Sequence, residues 1–588
     1  MYTELKSYQY IIAMLKNYGV KNLVLSAGSR NVPFVHSVEK DPYFCCYSVV
    51  DERSAGYFAL GLSQEKNEPV LISCTASTAS CNYYPPVAEA YYQNVPIIIL
   101  TSDRDPHMLG QREDQMIDQV NMFDRHVRKS VNLPIIQNQA DEEYCIRLIN
   151  EAFLELNHNG ESGPIHINVP MDSYNKTFNV KELPIVNVIK RIGVLEESKW
   201  KSKSEELLKC NRIMVICGQK SYVSDELKLQ LRCFYKKYNC AIIVDHMSNV
   251  ELEEGINSIL TFDENYITSD KMNELMPEIV ISFGGHVFSG LKNQLRKNHF
   301  KFEHWLISER GTVCDLFKGL STVFECDPEY FFRTMNEEVG DCQNNNEYYS
   351  ALADYNRAAE LPEIPYSNVY AIKKVVENIP ENSLLHLSIN DSIRITNFFS
   401  LNPSVKVYAN IGTYGIDGCM SSFIGQSVAS PSKTAFLVIG DLSFFYDMNS
   451  LKINSLGKNV HILLLNNRGA AEFYYNGSWV DSYSDLHTSA RHDIKAEGWI
   501  KENKIKYYSA QNRVEYDSIV DEFIKSEGPV VLEVFTEMST DAKTIHDIYK
   551  FSRPSDVKST IIRSAKEIVK KSIGQEKAKK IIDIVKSR

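Results

Sequence analysis

The sequence predicts an α/β protein built from three doubly wound parallel-sheet domains and a C-terminal helical tail. Three observations carry this. Strand candidates recur along the 588 residues, mostly as continuous apolar runs, the pattern of parallel strands buried on both faces. Helix-length segments separate most of them, which is repeated βαβ architecture. Two runs also stop abruptly in glycine and oxygen-bearing side chains, TAFLVIG at Gly440-Asp441 and NVHILLLNN at Asn466-Asn467.

The first set of strands is NLVLSAG (22–28), FCCYSVV (44–50), PVLISC (69–74), VPIIILTSD (95–103) and PIHINVP (164–170). Between its second and third members, VVDERSAGYFALGL (49–62) reads as a strand end entering a helix with apolar face Ala55, Phe58 and Ala59. The second set is IMVICG (213–218), AIIVDHM (241–247), IVISFG (279–284) and HWLISE (304–309). The third is LLHLSIN (384–390), VKVYAN (405–410), TAFLVIGD (434–441), NVHILLLNN (459–467) and PVVLEVF (529–535). Polar, irregular stretches at 180–202 and 340–368 divide the sets. The expected domains are therefore 1–182, 183–345 and 346–545, with a basic tail over 546–588. In that tail Val557, Ile561, Ala565, Ile568 and Val569 recur at helical spacing, as in a packing helix.

Composition narrows the class of function. With 44% hydrophobic and 24% charged residues the chain has no compositional sign of disorder. A net charge of −11 argues against a nucleic-acid partner, which calls for a basic footprint. No apolar stretch approaches the roughly 20 residues that cross a bilayer, so no membrane span is expected. The N-terminus lacks the basic start and apolar block of a signal peptide. Thirteen cysteines are scattered without a CxxC pair or zinc spacing, several inside apolar strands such as Cys74 and Cys217. Reduced core cysteines in a cytoplasmic protein are the expectation.

The two polar strand ends carry the chemistry. In open parallel sheets ligands bind beyond the carboxyl ends of the strands. Asp441 and Asn467 stand at those ends, on strands joined by one right-handed crossover. A carboxylate, a side-chain amide and glycine carbonyls form a hard-oxygen set suited to Mg²⁺ or Ca²⁺, and Mg²⁺ completes its shell with phosphates and water. Ser443 follows at the start of the crossover, where free N–H groups favour phosphate. The physical reading is a metal-bridged diphosphate. A helix-capping Asp and an Asn turn would account for either end alone, but two ends joined by one crossover outweigh that reading.

Gly-Asp, 24 intervening residues and then Asn-Asn resembles the cofactor signature of the thiamine-diphosphate enzymes. The resemblance implies metal ligands Asp441, Asn467 and Gly469, with Gly415, Ile416, Leu442 and Ser443 also against the cofactor. It implies pyrimidine-binding, central and diphosphate-binding domains in that order. It also implies that Glu52 is the carboxylate facing the cofactor's aminopyrimidine ring, activating it from another subunit. A surface Glu at a helix start is the plainer alternative. The runs SAGSRN (26–31), DERSAGYFALGL (51–62), CTASTASCNYYPPVAEAYY (74–92), DQMIDQVNMF (114–123), NIGTYGIDG (410–418) and GDLSFFYDMN (440–449) are more specific. They resemble the menaquinone-pathway 2-succinyl-5-enolpyruvyl-6-hydroxy-3-cyclohexene-1-carboxylate synthase family over the first and third domains, about two thirds of the chain. What that implies is a decarboxylating carboligase using thiamine diphosphate and Mg²⁺, or Mn²⁺ in its place. Its donor would be a 2-oxo acid, 2-oxoglutarate in the family case, and its acceptor isochorismate. The enzyme would be a homodimer or homotetramer with sites between subunits. Ile416 would bend the cofactor, and Ser29, Arg30, Gln115 and Arg394 would hold substrate. Arginine suits that work because its planar fork pairs bidentately with carboxylate.

Departures from the family pattern gather around the substrate. An arginine expected to bind a carboxylate is Ile411, and a serine expected four residues before Arg394 is Asn390. An apolar wall residue is Glu472, and Arg468 adds a cation that offers itself as a replacement substrate contact. These changes favour a relative with a different donor or acceptor. The alternatives are the menaquinone-pathway reaction itself, a simple 2-oxo acid decarboxylase, or a silent cofactor-binding scaffold. Glu472 is also a candidate catalytic acid–base group. His107, His487 and His492 lie in polar segments within reach of the site, whereas His386 and His461 read as core residues.

Overall fold

The computed structural model describes residues 1–262, 267–338, 344–475 and 485–552. The predicted helix through Val557 and Val569 lies outside the described residues. The chain forms two compact units, Met1–Lys199 with His304–Asp327, and Trp200–Glu303 with the chain from Pro328 onward.

The first unit holds a six-stranded parallel sheet. Its order is Cys45–Ser48, Asn22–Leu25, Val70–Cys74, Ile97–Arg104, Ile165–Met171 and Lys129–Asn132. The order reverses beside Asn22–Leu25, so the loops after that strand and after Val70–Cys74 flank a switch point. Leu23, Leu71, Ile98 and Ile167 are fully buried, as continuous apolar runs require. Two expectations are corrected here. The run FCCYSVV is an edge strand paired on one side, with Cys45, Cys46 and Ser48 exposed rather than buried. In the helix Glu52–Lys66, Ala55 and Ala59 pack inward but Phe58 is exposed, its ring against Tyr47 at 5.4 Å. At 3.6 residues per turn Phe58 lies about 60° from Ala55 and about 100° from Ala59, at the edge of the face they share.

The expected second set of strands divides between the two units. Glu303–Ile307, Leu320–Glu325 and Lys190–Gly193 run parallel in the first. Gly255–Asn257, Cys240–Val244, Ile213–Cys217 and Ile279–Phe283 run parallel in the second.

The second unit also holds a six-stranded parallel sheet, ordered Lys406–Ala409, Leu384–Leu387, Ala435–Gly440, Val460–Asn466, Val530–Phe535 and Lys506–Ala510. One apolar layer lies on each face. Val438, Leu463 and Leu532 point into a layer with Val369, Ile545 and Tyr549, while Leu437, Ile462 and Leu464 face Phe423 and Phe444. The helix Met538–Phe551, which runs across the expected boundary at 545 into the expected basic tail, supplies Ile545, Ile548 and Tyr549 to the first layer. Truncating Leu463 to alanine leaves a cavity at the middle of this sheet, so it is expected to cost about 2–5 kcal/mol of unfolding free energy in urea titration. His386 and His461 are core residues, as expected, and burial drives the His386 imidazole down to about 4.

Candidate active site

In the second unit the strand order reverses between Leu384–Leu387 and Ala435–Gly440, and a cavity of about 110 Å³ opens at that point. Ser388 to Ser392 line it from one strand end, Gly440 to Ser443 from the other, and Asn467 and Gly469 to Glu472 from the next. The structure thus gathers Asp441, Leu442, Ser443, Asn467, Gly469, Asn390 and Glu472 from three strand ends and Ile416 from a fourth. Gly415 lies next to Ile416 in the chain.

The polar pole is held rigidly. Asp441 is buried, and its carboxylate accepts the Leu442 N–H at 2.7 Å and the Gly469 N–H at 3.0 Å. Gly469 has φ +150°, and a Cβ there would sit 2.6 Å from the Ser489 carbonyl oxygen and 3.0 Å from Met538 Sδ. Only glycine fits. The Asn467 amide donates through Nδ2 to Asp541 at 2.9 Å, which leaves its Oδ1 as the atom for a cation. Asp541 also accepts from Thr536 Oγ1 at 2.7 Å and from the Asn368 N–H at 2.8 Å. Burial pushes its carboxyl up to about 6. The preceding Asn466 is structural, donating to buried Glu533 at 2.7 Å and to the Ile494 carbonyl at 3.0 Å. A carboxylate, an amide oxygen and a backbone carbonyl at one end of a small cavity fit a hard divalent cation with a diphosphate. Ser443, whose hydroxyl donates to the Ile416 carbonyl, ties that pole to the Ile416 loop.

One residue here escaped the sequence reading, and another was noted there without a role. Asp541 orients a metal-ligand candidate from the last described helix, and its signal was present: an acid among the apolar positions 538, 542, 545 and 549. His492, noted in the sequence as one of several histidines, places Nε2 3.3 Å from Asp441 Oδ2, with its ring edge against Phe445. His107 and His487 are exposed. Replacing Asp541 by alanine frees the Asn467 amide to turn. Outer-shell partners of this kind are worth about 10- to 100-fold in metal affinity. A weakening of that size is expected in a Mn²⁺ titration followed by electron paramagnetic resonance, where an unchanged affinity contradicts the orienting role.

At the other pole Asn390 Nδ2 donates to Glu472 Oε2. Asn390 holds φ 60° and ψ −116°, a conformation that costs a non-glycine residue roughly 1–3 kcal/mol and gathers at functional sites. Burial, then the neighbouring Asp391, raises the Glu472 carboxyl above its ordinary value. Arg394, on the same helix as Asp391, lies 3.6 Å from that carboxylate and over the Phe288 ring at 5.7 Å. Phe288 stacks in parallel with Tyr414 at 6.4 Å, and burial pushes the Tyr414 phenol up to about 12. Ile411 is buried in the apolar layer with Ala409 and Ile393, so no cation stands at that position. Arg468, proposed from sequence as its replacement, points instead toward Asp493 at 3.8 Å and Glu537 at 3.9 Å, outside the cavity lining.

The first unit carries its own polar cluster. Arg30 is buried at the loop after Asn22–Leu25 and donates to Gln115 Oε1 at 2.7 Å, with Tyr174 beneath its guanidinium at 5.6 Å. The sequence pairing of Arg30 with Gln115 is therefore a contact, next to Ser29. Burial and the nearby Arg104 lower the Arg30 pKa, which marks two cations drawn together. Arg104 was missed in the sequence, where it reads as the polar end of an apolar strand. Glu52 opens its helix, but the cap is Asp51, which accepts the Ser54 N–H at 2.8 Å. The Glu52 carboxylate is not spent on capping and is partly exposed.

Residues 5–122 match the family described as thiamine pyrophosphate enzyme, N-terminal TPP binding domain. Over 560 residues the chain is 39% identical to a 2-succinyl-5-enolpyruvyl-6-hydroxy-3-cyclohexene-1-carboxylate synthase of Bacteroides fragilis, covering 93% of this chain and 99% of that protein. Proteins of the same name from Phocaeicola vulgatus and Christiangramia forsetii are 37% and 30% identical, over 93% and 94% of this chain and 99% and 100% of theirs. Such a family uses thiamine diphosphate with a divalent metal, which suits the oxygen donors at Asp441, Asn467 and Gly469. The chain belongs to the 2-succinyl-5-enolpyruvyl-6-hydroxy-3-cyclohexene-1-carboxylate synthase family of thiamine-diphosphate enzymes.

Proposed function

We propose that the chain is itself such a synthase, decarboxylating 2-oxoglutarate and adding the succinyl unit to isochorismate in menaquinone biosynthesis. The observation that carries this is the convergence of Asp441, Asn467 and Gly469 on a cavity that also holds Ile416. The relatives' shared name favours this reading over the different acceptor preferred from the sequence departures. The cofactor supplies a carbon that takes up the electron pair left as CO₂ departs. The Asp441 carboxylate, Asn467 Oδ1 and the Gly469 carbonyl would hold Mg²⁺ and with it the cofactor's diphosphate. Glu52 would serve the aminopyrimidine, and Arg30, Gln115 and Arg394 would orient the carboxylates of donor and acceptor.

The division into pyrimidine-binding (1–182), central (183–345) and diphosphate-binding (346–545) domains belongs to the same reading. So does a homodimer or homotetramer in the cytoplasm, with Glu52 serving a neighbouring subunit's site. Val50, Tyr57 and Phe58, near Glu52 in the chain, are exposed large side chains that a neighbouring subunit would cover. The described cysteines are free thiols, in keeping with a reducing compartment. No helix among the described residues is long and apolar enough to cross a membrane.

A second reading keeps the donor class but changes the acceptor. It is favoured by the half-buried carboxyl of Glu472 and by Ile411, which together leave less positive charge for a dicarboxylate. Incubating the holoenzyme with a panel of 2-oxo acids, with and without isochorismate, separates the two. CO₂ release from 2-oxoglutarate coupled to isochorismate consumption is expected. Release without coupling transfers the assignment to the second reading, and no release from any acid removes both.

A further inference from the structure

Glu472 is the feature of the cavity that cofactor binding leaves without a task. It lines the same space as Ile416 and Asp441, yet takes no part in the oxygen set that suits the metal. One of its oxygens is fixed by a strained Asn390, which leaves the other free to meet a ligand. The surrounding charges are a second buried carboxyl, Asp391, and one guanidinium, Arg394, which already stands 3.6 Å from Asp391. Tyr414 faces the group from the loop before Gly415, and the helix Met538–Phe551 brings Asp541 behind Asn467. Burial and then Asp391 raise the Glu472 carboxyl above its ordinary value, against the opposing pull of Arg394 and the Asn390 hydrogen bond, which favours the form that can hold and deliver a proton.

We propose that Glu472, oriented by Asn390, is the proton-transfer residue of the step that follows CO₂ loss. This rests on the decarboxylating reading above. Departure of CO₂ leaves an electron pair on the former carbonyl carbon of the donor. When that carbon attacks the β-carbon of an unsaturated acceptor, a C–C bond forms and the acceptor's π pair moves to its α-carbon. The Glu472 carboxyl gives its proton to the α-carbon and becomes a carboxylate. It takes a proton back from the acyl oxygen as the ketone product leaves. The net reaction takes up one solvent proton for each CO₂ released. Without an acceptor the same proton goes to the acyl carbon, and an aldehyde departs.

The test compares two outlets of the holoenzyme loaded with thiamine diphosphate and Mg²⁺, with 2-oxoglutarate as donor. One outlet needs a proton: succinic semialdehyde release, and adduct formation when isochorismate is present. The other does not: reduction of a two-electron dye, which removes the electron pair directly. Glu472→Gln keeps the size of the side chain and an acceptor for Asn390, so its melting temperature checks folding. Proton-requiring output is expected to fall on the order of 100-fold, the usual reach of a general acid. Dye reduction is expected to fall far less. The wild-type rate should decline at high pH as the acid ionises, and that limb should vanish in Glu472→Gln and persist in Glu472→Asp. Equal losses at both outlets, or a pH limb unmoved in Glu472→Gln, overturn the role. Dye reduction by a wild-type enzyme that yields neither aldehyde nor adduct overturns it too. A wild-type enzyme that neither reduces dye nor releases CO₂ overturns the decarboxylating reading itself, and the role of Glu472 with it.

Discussion

Replacing Glu52 by glutamine is expected to slow CO₂ release from the 2-oxo acid by roughly 10²- to 10⁴-fold, the span that general acid–base groups contribute. The change is nearly isosteric, and helix initiation rests on Asp51 rather than on Glu52. Stability should therefore be preserved, and a melting temperature within a degree or two of the parent's would show it. A single-turnover measurement of CO₂ release isolates the affected step from product departure. Normal turnover in the variant would remove Glu52 from the mechanism and return it to the role of an ordinary residue at a helix start. The side chain stands near buried Cys74 and Tyr83, whose ionisation its charge disfavours.

The second large effect is expected at Asp441. Alanine there removes the only carboxylate proposed as a metal ligand, and it strands the Leu442 and Gly469 N–H groups that the carboxylate now accepts. Metal affinity should fall by more than the 10- to 100-fold typical of an outer-shell partner. The check need not involve turnover. A ligand present at 100 times its dissociation constant stabilises the folded state by about 2.7 kcal/mol. Parent protein should thus melt higher when thiamine diphosphate and Mg²⁺ are added together, and Asp441→Ala should not respond. An equal rise in the variant would show that the cofactor is held elsewhere.

The central strands were legible because burial on both faces leaves them almost wholly apolar. VHILLLN is one such run, and the strand Val460–Asn466 has no exposed residue. Two edge strands escaped for the converse reason. KYYSA, now Lys506–Ala510, has one paired neighbour and mixes polar with aromatic side chains. KSVN at Lys129–Asn132 also has one paired neighbour and carries a single apolar residue. The metal pole was legible because its ligands fall at a fixed spacing within one βαβ unit. The Asn390–Glu472 bond was not, since its partners lie 82 residues apart and meet only when the sheet assembles. Arg468 shows the opposite error. Chain neighbourhood to Asn467 suggested a substrate contact, but its backbone at φ 69° turns the side chain toward acids on the outer side.

The bond between Asn467 and Asp541 spans 74 residues and reaches the last described helix. Proteins are made from the N-terminus, so the loop with Asp441, Asn467 and Gly469 leaves the ribosome before the residues that brace it. Met538, which crowds Gly469, and Asp541, which fixes the amide, arrive together on that helix. A nascent chain stalled before them would carry the cofactor signature in full without the side chains that brace it, so capture of a metal and cofactor at the proposed site would await docking of the Met538–Phe551 helix.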